Sequence, residues 1–369
     1  MRQINPEFPF TFQARERTAR MNTRGSENRR KIYIACPANV ATGGPEALHQ
    51  LCFNLRTVLG EDAMMFYYQK KYDDPVHPTY KSYHNTYSSI IQDHSTNILI
   101  VPEVEDGLGL LTQYRNIKKF IWFLSIDNYY LFKKIKKSDF LLEKVFNKTL
   151  RILGSNKPFE LTYENISKKY PMCKDPRVMS ADLLITQSFR GKIHIHEKTN
   201  KEPLYLSDYL NDDFFLITYN QPKKNVIAYN PSKGLKFTKK IIENSTGLTF
   251  TPIKNMTRDD VVKTLLESKV YIDFGNHPGK DRFPREASIL GCCIITGKKG
   301  CAHYYEDIPI NDEYKFEEKE DTIPLIIRKI EECITHYDKK IIDFENYRLK
   351  IMNEKKQFIN DMRNIFSNI

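Results

Sequence analysis

The sequence predicts two α/β domains in one chain, and three observations predict them. Short apolar strand candidates alternate with stretches long enough for helices, the pattern of a parallel sheet with helices on its faces. The alternation pauses at the polar turn Asn220-Gln-Pro-Lys-Lys224 and begins again at Asn225. The length, 369 residues, is too great for one small domain and suits two of ordinary size.

The first half opens with the strand Lys31-Ile-Tyr-Ile-Ala-Cys36 and a turn holding Gly43 and Gly44. Leu48, Leu51, Leu55 and Val58 then fall on one face of a helix. Further strands are expected at 97–101, 119–125 and 181–186. In the second half a strand over 225–229 leads into Asn230-Pro-Ser-Lys-Gly234 and a helix from near Phe237. Another strand ends at Pro252 and Ile253, and Thr257 is placed to N-cap a helix running to Ser268. A strand over 270–274 and a short helix from near Pro284 to Gly291 follow, and 322–366 is predominantly helical. The expected division is a leader or tag over 1–30, a first domain over 31–220, a second over 221–335, and a C-terminal helix over 336–369.

Residues 1–30 carry seven arginines and no lysine, whereas the rest carries 39 lysines and 11 arginines, so the leader reads as a segment of separate origin. It lacks the apolar stretch of a secretory signal, and its three glutamates argue against a transit peptide. Hydrophobic residues at 40% and charged residues at 28% are normal for a globular protein, and no apolar run has the length of a membrane span. The net charge of +11 suits an anionic partner. Without a zinc-finger spacing, an RNP-type motif or clustered lysines, nucleic acid is not the expected one. Seven cysteines without a C-x-x-C indicate neither a disulfide framework nor a zinc site, and a reducing cytoplasm fits them.

Three loops at strand ends carry the candidate chemistry. In the first, Gly43 and Gly44 let backbone N–H groups approach a ligand at a helix N-terminus, where partial positive charge favours phosphate. In the second, Lys233 follows a strand at the edge where open α/β sheets bind ligands. The third runs from Asp273 to Gly297 and concentrates His277, Lys280, Asp281, Arg282, Arg285 and Glu286. Its cations are suited to a diphosphate, and Glu286 at a helix start is suited to ribose hydroxyls. An ion-paired surface loop is the plainer alternative for the same residues.

These motifs resemble the GT-B glycosyltransferases, most of all the type encoded with bacterial capsule and surface-polysaccharide functions, with a GT4-like donor domain. Residues 225–234 resemble the strand and lysine-glycine turn where a lysine touches the donor pyrophosphate. Arg285-Glu286-Ala287, with Gly291 and Ile294-Ile295 beyond, resembles the family's closing segment, whose glutamate holds the nucleotide ribose. The family's E-x7-E pair is incomplete: Pro278 stands where the first glutamate would be, with His277 and Lys280 beside it.

The resemblance implies two Rossmann-like domains facing a cleft, an acceptor domain over 31–220 and a nucleotide-sugar donor domain over 221–335, with the C-terminal helical segment crossing back to pack on the first. It further implies a metal-independent hexosyltransferase that needs no cofactor beyond a UDP- or GDP-type sugar as co-substrate. The acceptor would be a carbohydrate or a lipid-linked oligosaccharide, and the location cytoplasmic, with room for peripheral contact with the inner membrane face. Gly43, Gly44, Lys233, Lys280, Arg282, Arg285 and Glu286 are the expected donor contacts. Asp127, which follows a strand amid Trp122, Tyr129 and Tyr130, is a candidate base toward an acceptor hydroxyl, and His277 joins it as a candidate catalytic residue.

Other polar sites point elsewhere. His194 and His196 would share one face of a strand with the spacing of a metal pair, though no third ligand is near in sequence. Asp212-Asp213 and Asp259-Asp260 lack the intervening residue of a D-x-D motif, and the second pair suits the first turn of a helix. Two alternative functions remain open from the sequence: a sugar-nucleotide epimerase, which uses a similar shell, and a non-catalytic sugar-nucleotide or polysaccharide-binding protein.

Overall fold

Strands buried on both faces read as nearly continuous apolar runs, and β1 (Lys31–Pro37) is such a run, buried at every position but its two ends. The computed structural model of the chain describes residues 29–69, 73–131, 163–215, 222–367 and 369. Most of the expected leader, and Asn220 and Gln221 of the turn between the two halves, lie outside them. With β2 (Asp62–Tyr68), β3 (Tyr87–Ser88), β4 (Ile98–Pro102), β5 (Lys118–Phe123), β6 (Leu183–Thr186) and β7 (Leu204–Tyr205), β1 forms a parallel sheet ordered β3-β2-β1-β4-β5-β6-β7. A second parallel sheet is ordered β12-β11-β10-β8-β9. Its strands are β8 (Lys224–Tyr229), β9 (Thr249–Pro252), β10 (Ser268–Asp273), β11 (Cys293–Gly297) and β12 (Lys315–Phe316).

Chain direction across each sheet reverses once, between β1 and β4 in the first and between β8 and β10 in the second. Crevices at the carboxyl ends of such strands are where open α/β sheets bind ligands. Parallel strands place those ends together, so the segments after β1, β4, β8 and β10 are the ones topology delivers to a common site.

The C-terminal helix Glu345–Phe366 joins the two halves, as expected. Its apolar positions recur at helical spacing, which lines them along one face. Tyr347 and Ile351 enter the second sheet's core with Ile326, Ile330 and Phe344. Phe358, Met362, Ile365 and Phe366 enter the first sheet's core with Ile32, Leu48, Leu51 and Trp122. Each fully buried side chain of this kind contributes roughly 1.5–3 kcal/mol, so the helix is anchored at both ends. Among the described residues no helix is long and apolar enough to cross a membrane.

Local expectations hold where the motif is strong. Thr257 caps the helix Arg258–Glu267 in a reciprocal capping box with Asp260, which gives the Asp259-Asp260 pair a structural role. Val58 departs from its expected buried face: it is the C-cap of the helix Gly43–Thr57 and is 37% exposed. The His194–His196 segment is helical, not a strand, because Ser188 caps the helix Phe189–Thr199 by accepting from Gly191 N. Two residues apart on a helix is about 200°, so the histidines diverge. His194 Nε2 lies 2.9 Å from the Tyr130 hydroxyl, and His196 Nδ1 lies 2.6 Å from Glu202.

The loop carrying Lys233 is set by a backbone contact that only glycine permits. Gly234 has φ +58° and Gly275 φ +98°, and a Cβ on Gly234 would lie 2.2 Å from the Phe274 carbonyl oxygen. Gly234→Ala is therefore expected to destabilise the protein by about 2–4 kcal/mol in urea unfolding. Unchanged stability would show that the two loops can separate without cost.

Candidate functional site

A cavity of about 1040 Å³ opens at the carboxyl ends of β1, β4, β8 and β10, between the two sheets. On the first-sheet side Gly43 and Gly44 line it at the start of the helix Gly43–Thr57. Thr42, the N-cap, supplies no side-chain cap, and Pro45 has no N–H, so the positive end of this helix faces the cavity without a side-chain oxygen of its own. Neither glycine has positive φ, so small size at the cavity wall, rather than backbone freedom, is what they supply.

On the other side Lys233 reaches the wall at the end of β8. Its ammonium pairs with Asp281, lies 3.3 Å from Asp273 Oδ1 and lies 3.1 Å from His277 Nδ1. Ligand atoms of Asp273, His277 and Asp281 lie within 4.8 Å of one another, an arrangement able to hold a metal ion, and the Lys233 ammonium sits among them as its cation. Burial drives the Asp281 carboxyl upward, but the His277 hydrogen bond and the Lys233 charge outweigh it and hold the pKa down at about 2. Asp273, wholly buried, is pushed up by its burial despite the same two neighbours.

Arg282 and Glu286 occupy the first turns of the helix Arg282–Ile289 and line the cavity together. The Arg282 guanidinium crosses the cleft to pair with Glu46 of the first half. Its Nε stands 3.6 Å from Glu286, beyond hydrogen-bond reach, and neither Nε nor Nη2 has a hydrogen-bond partner among the described residues. Buried donors are almost always partnered, since each one left bare costs about 1–3 kcal/mol. Burial pushes the Glu286 carboxyl up, while Arg282 and Arg258, a further lining residue, pull it back.

The other two expected cations are engaged elsewhere. Arg285 is wholly buried, with Nη2 at 2.8 Å from Asp208 and Nη1 at 2.9 Å from Glu354 of the C-terminal helix. Lys280 reaches the wall, but its ammonium is held by Glu354 at 2.6 Å and by Ser207 at 2.8 Å. Both expected diphosphate contacts thus tie the two halves together through protein carboxylates. Asp127 is also buried, paired with Arg190 at 2.6 Å and with Asn276. Neither Asp127 nor His277, the expected catalytic pair, is among the residues that line the cavity.

Sequence reasoning missed Glu103, Tyr68 and Arg258. Glu103 follows β4 directly; its Oε2 accepts from Leu124 N at 3.0 Å and its Oε1 from Ser125 N at 3.1 Å, and burial pushes its pKa up to about 7. The only signal was a charged residue at the end of an apolar strand. That signal acquires meaning once β4 is known to neighbour β1.

With this geometry in hand, solved structures provide a comparison. The chain is similar over 92% of its length to all of HepE of Anabaena, solved in complex with UDP-glucose, at 10% identity and a TM-score of 0.60. It is similar over the same share to all of sucrose-phosphate synthase from Thermosynechococcus elongatus, at 11% identity and a TM-score of 0.62. The chain has the GT-B fold. No family model matches it, and no curated protein sequence matches it. At these identities the likeness carries the GT-B architecture and not the reaction.

The GT-B cleft is thereby walled by residues of two kinds, and two measurements separate them. Arg285→Ala strands Asp208 and Glu354 without a shared counter-charge, and is expected to destabilise the fold by about 3–5 kcal/mol in urea unfolding. A loss below about 1 kcal/mol would contradict that role. For Glu103, the native chain keeps a proton between the ordinary 4.5 and about 7 that the unfolded chain has released, so its contribution to stability falls as pH rises through that window. Glu103→Gln is expected to flatten this dependence, its stability relative to wild type rising by up to roughly 3 kcal/mol from about pH 5 to about pH 7.5. Parallel pH profiles for the two proteins would refute the assignment.

Proposed function

We propose that this chain is a glycosyltransferase that moves a sugar from a nucleotide-diphosphate donor of UDP or GDP type to a carbohydrate hydroxyl, without a divalent metal. The observation that carries this reading is Arg282, a largely buried guanidinium with two unpartnered nitrogens on the wall of a cavity large enough for a nucleotide sugar. A diphosphate supplies the several acceptor oxygens such a group lacks. The UDP-glucose bound to HepE supports the donor class.

Cleaving the donor glycosidic bond builds negative charge on the leaving diphosphate, so fixed cations favour the transition state over the ground state. Arg282, the Lys233 ammonium and the helix start at Gly43 and Gly44 converge on the cavity to do this. Glu286 would accept from ribose hydroxyls and orient the nucleoside. Lys233, already among Asp273, His277 and Asp281, supports charge neutralisation by side chains in place of a metal ion. Following the motif resemblance, we assign the reaction to bacterial surface-polysaccharide synthesis in the cytoplasm or at the inner membrane face. Its acceptor would be a carbohydrate or a lipid-linked oligosaccharide.

Calorimetry against UDP, GDP, CMP and dTDP sugars, followed by mass spectrometry of products, tests the proposal. Lys233→Ala, Arg282→Ala and Glu286→Ala are each expected to weaken nucleotide-sugar binding about ten- to a hundredfold, the worth of a charged hydrogen bond. Unchanged affinity in all three would sink the donor site.

A further inference from the structure

The cavity is electrostatically two-sided. Residues of the first half that line it include the carboxylates Glu46, Glu103, Glu105, Asp106 and Asp208, with no lysine, arginine or histidine among the described lining residues of that half. Its basic lining residues, Lys233, Arg258, Lys280 and Arg282, all come from the second half. This division runs against a chain whose net charge is +11.

Three of the five carboxylates are neutralised in place. Glu46 pairs with Arg282, Asp208 with Arg285, and Glu105 takes the Arg177 fork at 2.9 and 3.1 Å. Glu103 and Asp106 have no cationic partner among the described residues: the first accepts from backbone N–H groups and the second from Gln69. Tyr68 stands with them, since both carboxylates act on its hydroxyl. The Tyr68 side chain lines the cavity and is only 9% exposed, yet its hydroxyl has no hydrogen-bond partner among the described residues. A nearly buried hydroxyl left bare at a cavity wall marks a place where a ligand completes the hydrogen bonding. Tyr68 ends β2 and Glu103 follows β4, so the two flank the end of β1.

Resting on the transferase reading above, with the acceptor on the first half as the resemblance implies, we propose that the sugar entering beside Tyr68, Glu103 and Asp106 carries no negative charge. An uncharged sugar offers hydroxyls to all three groups, and an amino sugar gains from the carboxylates. A uronate or sugar phosphate there would meet the charge of Asp106, and that of Glu103 once it ionises above about pH 7, which is repulsive at short range. The same polarity directs the donor: its diphosphate is drawn to the second-half cations and the helix start at Gly43 and Gly44, and away from the carboxylates of the first half.

The test uses the full chain and the nucleotide sugar that binds best in calorimetry. Three pools of methyl glycosides and disaccharides are offered as acceptors: uncharged, amino, and anionic with uronates and 6-phosphates. Product masses and kcat/KM are read for each. Product is expected from the uncharged or amino pool, with kcat/KM for matched anionic analogues lower by at least about tenfold. Asp106 is exposed, so Asp106→Lys is expected to fold and to shrink that ratio about tenfold with donor affinity unchanged; Asp106→Asn is expected to act in the same direction and less. Anionic acceptors used as well as neutral ones, or a ratio unmoved by both variants, overturns this inference while leaving the donor site standing. Absence of donor binding, or of product from every pool, overturns the transferase reading itself.

Discussion

The cleft depends on one buried charge network. Arg285 and Lys280 belong to the loop and helix after β10, Ser207 and Asp208 to the segment after β7, and Glu354 to the C-terminal helix. Bringing these charges out of water costs several kcal/mol per ion, and the cost is met only when every partner is present in good geometry. Burial opposes ionisation of Asp208, but Arg285 and Lys280 hold its carboxyl well below the usual range. The arrangement is therefore close to all-or-none. It fixes where the loop over 277–286 sits against the first half, and with it the wall that carries Arg282 and Glu286.

That constraint divides the basic residues of the loop by their partners. Arg285 and Lys280 are satisfied by protein carboxylates. Arg282, one turn from Arg285 on the same helix, lines the cavity, pairing with Glu46 across it and standing 3.6 Å from Glu286. Lys233 lies between these cases, held by Asp281 and Asp273 yet at the wall. In the transferase reading proposed above, anion recognition falls to the cations whose hydrogen-bonding capacity the fold leaves incomplete, and a charged ligand entering there would complete it.

Much of the scaffold was legible in the sequence because it rests on local chemistry. Apolar runs set the buried strands and Thr257 with Asp260 set a helix start, whereas the close backbone approach of Gly234 and Gly275 emerged only with the structure. The misreadings have a common cause. The alternation around His194 looked like a strand, but Ser188 as N-cap favoured a helix. Asp127 looked like an available base until Arg190, 63 residues further along the chain, proved to be its partner.

By itself the sequence determined the fold class, the strands β1, β4, β5, β6, β8 and β10, and the loops that reach the cleft, since these follow from periodicity, caps and turn residues acting over a few positions. Tertiary structure alone decided which charges in those loops remain available. Whether Arg282 or Arg285 meets a ligand depends on where Asp208, Glu354 and Glu46 come to rest, and their positions follow from how the two sheets and the C-terminal helix pack. Glu103 became part of the site in the same way, because strand order across a sheet is a property of the whole fold and leaves no mark on the residues beside it.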